Sequence, residues 1–187
     1  MTLVVILACV AALLVASVLG SVTARSRAGT PLVYGVSLAA CAVALVAALV
    51  QLLSYAAAPT LVLPLGLPWL GAHFRIDALA AFFLVVVDLG GAAASLYALG
   101  YGTHETEPAR VLPFYPAFLA AMNLVVLADD AFTFLLSWEF MSLTSWAMVM
   151  AHHRDADNRR AGFIYLVMAS FGTFTLMLAF GLLAGPA

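Results

Sequence analysis

The chain has 187 residues, of which 66% are hydrophobic and 9% charged, with 7 basic and 9 acidic side chains and a formal net charge of −2. Together with a mean hydropathy of +1.13, this composition excludes an ordinary soluble domain and reads as an all-α integral membrane protein. The near-neutral balance also excludes a basic surface for nucleic acid and a charged tail that recruits partners.

The first apolar run spans residues 3–22 and is followed, not preceded, by Arg25 and Arg27. A secretory signal has its basic residues on the other side, so the run reads as a retained membrane helix. A second run over 32–57 is entered through Pro31, which suits a first helical turn. Cys9 and Cys41 lie inside these runs without CxxC or metal-like spacing, and read as small residues packed between helices.

Residues 58–76 break the helical pattern with Pro59, Pro64, Pro68, Gly66 and Gly71. The apolar pieces Leu61-Val62-Leu63 and His73-Phe74-Arg75-Ile76 can pair there as a short extracytoplasmic hairpin on the membrane surface. Asp77 is a natural N-cap for a third helix over 78–99. That helix carries Asp88 near its centre and a patch of small residues, Gly90 to Ser95, that lets another helix approach closely. Asp88 reads equally as a proton-handling group and as one end of an interhelical hydrogen bond.

The polar stretch 100–110, with His104, Glu105 and Glu107, reads as a solvent loop. A shorter fourth helix over 111–127 has Pro113 and Pro116 in its first turns and Asn123 further in. Asp129 and Asp130 separate it from a fifth helix over 131–150, with Asp130 as the cap. A charged loop over 151–160 and a sixth helix over 161–184 complete the pattern. His152 and His153 are adjacent, point about 100° apart on a helix and do not chelate well. They read as a solvated helix end. The four histidines fall at segment ends, so no haem, iron–sulfur cluster or other metal or cofactor site is expected.

The fifth run holds Glu139 amid Leu135-Leu136-Ser137-Trp138-Glu139-Phe140-Met141-Ser142-Leu143-Thr144-Ser145-Trp146. About 20 residues at ~1.5 Å rise match a hydrocarbon core of ~30 Å, which puts Glu139 near the bilayer midplane. A carboxylate there costs roughly 2.5–3.5 kcal/mol on insertion scales and marks a functional site by default. Helical spacing puts Ser142 at i+3 and Trp146 at i+7 on its face, beside Leu135 and Phe132. Desolvation disfavours the charged form of such a group, which suits it to taking up and releasing protons. The alternative is a neutral carboxyl that hydrogen-bonds between helices.

With the first terminus outside, six of the seven arginines fall in cytoplasmic loops and Arg75 alone falls outside. The positive-inside rule therefore gives an N-out chain of about six helices.

The order of proline-rich hairpin loop, Phe74-Arg75-Ile76-Asp77-Ala78-Leu79, Tyr97…Gly100-Tyr101 and the Trp138-Glu139 segment resembles the proton-translocating, antiporter-like membrane subunits of respiratory complex I and related hydrogenases. The continuation Arg159-Arg160-Ala161-Gly162-Phe163-Ile164-Tyr165-Leu166-Val167-Met168-Ala169 is most similar to hydrogenase-4 component B and formate hydrogenlyase subunit 3. The resemblance runs from about residue 30 onward and is most specific at Trp138-Glu139. It implies an inverted-repeat fold whose N-terminal part this chain matches. It further implies a multi-pass subunit of a bacterial or archaeal cytoplasmic membrane, with other membrane subunits and the lipid bilayer as partners. Glu139 then corresponds to the family's intramembrane proton-transfer carboxylate, with Asp88 as a second candidate and Ser142, Trp138 and Trp146 in support.

In that family the glutamate works with a lysine on a later, broken helix. This chain contains no lysine, and lysine is the basic residue whose charge changes most readily on burial. The expectation is that the isolated chain does not move protons by the family mechanism and that the titrating partner comes from another polypeptide or is absent. No nucleophile–base pair or dinucleotide fingerprint appears, so any oxidoreductase activity would belong to an assembly. The alternatives are a subunit of a multisubunit cation/proton antiporter and a non-transporting assembly fragment.

Overall fold

A computed structural model describes residues 1–26, 28–54, 57–66, 71–105 and 107–185, the Thr103 side chain excepted. Arg27 and Pro68 lie outside the described residues. The chain is an all-α membrane protein whose helices run α1 Thr2–Thr23, α2 Gly29–Leu53, α3 Ala78–Tyr101, α4 Phe114–Leu127, α5 Ala131–Val149 and α6 Ala156–Ala184. A two-stranded hairpin, β1 Thr60–Leu63 and β2 Ala72–Arg75, connects α2 to α3. Five helical segments are long and apolar enough to cross a membrane: α1, α2, α3, Pro108–Leu127 and α6. The remaining helix, α5, carries Glu139 and several hydroxyl residues, which lower its hydropathy.

Apolar side chains assemble the bundle in three layers along its length. At the hairpin end, Leu3 and Ile6 of α1 meet Phe74 and Ile76, Leu84 of α3 and Leu127 of α4. In the middle, Cys9, Val10 and Leu13 pack on Ala40, Cys41 and Ala44 of α2 and on Leu119 and Ala120 of α4. At the far end, Ala24, Val33, Tyr34 and Leu112 close the bundle. Small residues at four-residue spacing on α2 (Ala40, Ala44, Ala48) leave room for neighbouring backbones. Gly20 serves the same purpose on α1: a Cβ there would lie 2.7 Å from the Leu112 carbonyl oxygen.

The hairpin is antiparallel, with Thr60 opposite Arg75 and Leu63 opposite Ala72. Phe74 and Ile76 are buried, and β2 is also bridged through Phe74 to Ala128. The hairpin therefore closes one end of the bundle, because alternate β2 side chains are apolar and the helix ends beneath leave an apolar surface to cover.

Several helix boundaries differ from the sequence reading. Helix α2 begins at Gly29 and ends at Leu53, with the Ser54 N–H bonded to the Val50 carbonyl, although the apolar run continues to residue 57. Helix α4 begins at Phe114, because Pro108–Arg110 form a 3-10 turn and the chain turns again before Pro113. Helix α6 begins at Ala156 within the charged stretch, because the Asp155 carboxylate accepts from the Asp157 N–H and caps it. Charge places that first turn outside the apolar span without preventing helix.

The helices alternate in direction, so Arg75 sits at the hairpin end while Arg25, Arg110, Arg154, Arg159 and Arg160 sit at the other. At that arginine-rich end the two polar loops meet. Glu105 and His152 approach to 3.1 Å, and Glu107 lies 3.7 Å from Arg110 and 3.9 Å from Arg154. Such exposed pairs add little stability but fix one loop against the other.

Candidate functional site

Helix α5 starts from a tightly held cap. The Asp130 carboxylate accepts the Thr133 backbone N–H at 2.8 Å, the Thr133 hydroxyl, and the His73 backbone N–H at 3.2 Å. Burial pushes the Asp130 carboxyl up, but these hydrogen bonds from Thr133 and His73 outweigh it and hold the group below the usual carboxylate value. Next to it Arg75 bonds Asp129 at 2.7 Å, and the Asp129 N–H bonds the His73 carbonyl at 3.0 Å. The hairpin and the start of α5 are thus one polar unit.

From that anchor, nine residues at ~1.5 Å each carry Glu139 about 14 Å down the helix axis, close to half of a ~30 Å hydrocarbon core. Thr133, Ser137 and Thr144 are buried on α5. Phe132, Leu136 and Phe140 line an apolar groove of about 430 Å³ between α5, α1 and the hairpin. Phe134 stacks on Trp138 and meets Phe180 of α6, while Gly162 of α6 sits against Met150 and Trp146. Glu139 points to none of these contacts. It is half-buried and makes no hydrogen bond or ion pair among the described residues. Its neighbours along the helix surface, Leu136 at i−3 and Leu143 at i+4, are 57% and 49% exposed.

Among the described residues no hydrogen bond joins Ser142, Trp138 or Trp146 to Glu139. Ser142 is buried at 6% exposure but gives Glu139 no hydrogen bond. The Trp138 indole N–H is buried without a partner, and Trp146 packs on α6. Spacing correctly gives the neighbours of Glu139 along α5, but it does not give the direction in which α4 and α6 lie. Those helices take the faces holding Thr133, Ser137, Thr144, Phe134 and Trp146, and leave the Glu139 face open.

Asp88 is built into the opposite kind of environment. The inward stripe of α3 is Ala81, Leu84, Asp88, Gly91 and Ser95, at alternating three- and four-residue spacing. Asp88 is fully buried and accepts a 3.2 Å hydrogen bond from the Asn123 side-chain amide, which also donates to the Leu119 carbonyl at 3.0 Å. Seven residues further along α3, Ser95 and Tyr115 bond through their hydroxyls at 2.8 Å, and Tyr115 also donates to the Gly91 carbonyl at 3.3 Å. No hydrogen bond or ion pair joins Asp88 to Glu139. Asn123 and Tyr115 are the polar partners that the sequence left unassigned; the available signal was a polar side chain in the middle of an apolar run opposite another. Among the described residues no three His, Cys, Asp or Glu side chains converge as a metal site would require.

Comparison with known proteins fits this arrangement. Residues 128–185, which hold α5 and α6, match the family described as NADH:quinone oxidoreductase/Mrp antiporter, transmembrane. Hydrogenase-4 component B of Escherichia coli is 36% identical over 108 residues, covering 57% of this chain and 16% of that protein. An uncharacterised protein of Mycobacterium tuberculosis is 34% identical over 118 residues, covering 63% of this chain and 18% of the relative. The matched part thus spans under a fifth of these curated relatives. The fold is similar to a chain of the membrane-bound sulfane sulfur reductase, an archaeal respiratory membrane complex. The TM-score is 0.72 at 17% identity, covering 90% of this chain and 34% of the other. The chain is thus similar to complex I and antiporter-like membrane subunits.

Proposed function

We propose that the chain serves as the N-terminal part of a membrane-arm subunit in a proton-translocating assembly of the hydrogenase-4 or NADH-dehydrogenase kind, with Glu139 as its intramembrane proton-transfer carboxylate. The observation that carries this reading is the setting of Glu139. An acid near mid-membrane, half-buried without a hydrogen bond or ion pair among the described residues and flanked by the exposed Leu136 and Leu143, calls for a polar group from further protein. Proton transfer between such a carboxyl and a neighbouring cation needs this open approach, which a carboxyl locked by its own helix would not offer. The subunit itself is non-redox, and electron transfer belongs to its partners. Its arginine-rich end faces the cytoplasm of a bacterial or archaeal cell, which puts the first residue outside.

A second reading, a subunit of a multisubunit cation/proton antiporter, is supported by the same family match, whose description names both classes. One experiment separates them. In membranes containing the chain within its assembly, Glu139→Gln is expected to lower redox-driven proton flux by roughly 100-fold, the scale of a lost proton-transfer group, with assembly intact. Sodium-dependent proton flux that is lost with Glu139→Gln and needs no electron donor would favour the antiporter. Unchanged flux of both kinds would remove Glu139 from transport.

A further inference from the structure

We infer that Asp88 and Asn123 form a second proton-binding site, enclosed by α2, α3 and α4 and separate from Glu139. The inference stands on its own geometry and does not depend on the role of Glu139.

The two side chains are 0% and 1% exposed, and their hydrogen bonds leave a specific deficit. The Asn123 amide spends its two N–H bonds on Asp88 Oδ1 and the Leu119 carbonyl. Asp88 Oδ2 and Asn123 Oδ1 then remain buried with no partner. Both are acceptors, and the Cys41 S–H beside Asp88 is only a weak donor, so what the site is short of is a strongly donating hydrogen. A proton on Asp88 supplies it and turns one orphaned acceptor into a donor. It also removes a charge that one amide and one weak thiol hydrogen bond do not offset at this depth.

The other donor facing the carboxyl is the Cys41 thiol of α2, whose S–H is a weak hydrogen-bond donor to Asp88; beyond it lies the Cys9 thiol of α1. On α4 the facing polar group is the Asn123 amide, and Tyr115 is engaged with Ser95 and the Gly91 carbonyl. The ion pairs of the described residues all lie at the two ends of the bundle. A hard metal cation would want about six oxygen ligands. The site offers the two free oxygens, because the neighbouring Gly91 and Leu119 carbonyls already accept hydrogen bonds. Space is short as well, since a Cβ on Gly91 would come within 2.9 Å of Cys41 Sγ and 3.1 Å of Leu119 Cδ2. The proton is the cation that fits.

The test is an infrared pH titration of the full chain reconstituted in lipid, with carbonyl-¹³C aspartate to separate Asp88 from glutamate. A protonated-carboxyl C=O band that shifts in D₂O and titrates reversibly is expected. It should be missing in Asp88→Asn and kept in Glu139→Gln. Asn123→Leu, which retains the carboxyl, should displace the band and change the pH at which it disappears, and so decides the question if Asp88→Asn does not fold. A band that is insensitive to pH, unchanged in Asn123→Leu, or still present in Asp88→Asn would overturn the proposal. Loss of flux in Glu139→Gln with this band intact would show two independent sites.

Discussion

Replacing Asp130 by alanine tests whether the hairpin and the glutamate helix form one unit. Alanine removes the N-cap acceptor of α5, which costs about 1 kcal/mol. It also leaves the His73 backbone N–H, bonded to Asp130 at 3.2 Å, without its acceptor, for about 1 kcal/mol more. A total of about 2 kcal/mol corresponds to a fall of roughly 4–8 °C in the midpoint of thermal unfolding for a chain of this size. Hydrogen exchange should speed up at both Thr133 and His73, although 60 positions separate them in sequence. Asp130→Asn, which keeps one acceptor oxygen, should lose less. The pH dependence has a definite sign. The folded carboxyl holds its proton less tightly than the free group. Its contribution is therefore complete at neutral pH and fades as pH falls below about 5 through the carboxylate range. An Asp130→Ala protein with unchanged midpoint and exchange, or one whose deficit relative to the parent grows toward low pH, would refute the reasoning.

Adjacent glycines on α3 give a paired measurement. Gly91→Ala puts a Cβ within 2.9 Å of Cys41 Sγ, whereas Gly90→Ala meets nothing within 4 Å. Gly91→Ala should destabilise by about 1–3 kcal/mol by overpacking, and Gly90→Ala should be neutral or slightly stabilising, both read as detergent melting midpoints. On α1, Gly20→Ala forces a Cβ to 2.7 Å from the Leu112 carbonyl oxygen. Backbone cannot yield as a flexible side chain can, so its loss should exceed that of Gly91→Ala, and equal midpoints would contradict the close α1–α4 approach.

Much of the bundle is legible in the sequence because each membrane span is a local property. Apolar runs mark the helices, and Asp77 and Asp130 mark two starts, each accepting from the N–H three residues on. Boundaries were misread where a local rule met a competing one. The charges at 154–160 suggest a solvated loop, yet Asp155 caps a helix through them. Residues 111–113 are apolar enough for helix, yet Pro108 and Pro113 impose a tighter turn. The sites divide in the same way. That Asp88, Asn123 and Glu139 are polar groups in apolar runs is visible from composition alone. That Asp88 meets Asn123, 35 residues away, depends on the packing of α3 against α4, and no local pattern encodes it. The small-residue patch on α3 illustrates the limit: Gly91 and Ser95 face inward, while Gly90 faces open space.

The two intramembrane carboxyls meet the cost of leaving water in opposite ways, and α5 shows why the difference matters. Asp88 is enclosed by helices of its own chain and finds an amide there. Glu139 has no hydrogen bond or ion pair among the described residues, and α5, although 19 residues long, is less apolar than the five membrane-spanning segments. Its Thr144 hydroxyl is satisfied by the carbonyls of Phe140 and Met141 within the helix, and Thr133 by the Asp130 cap, so those polar groups need no outside partner. The glutamate does. Lipid offers no hydrogen bond, and an unpaired carboxylate facing it would cost several kcal/mol. The exposed Leu136 and Leu143 beside it form an apolar rim on which another helix can pack. On the proposed function, the face holding Glu139 is where neighbouring protein brings the polar or cationic group that this carboxyl needs.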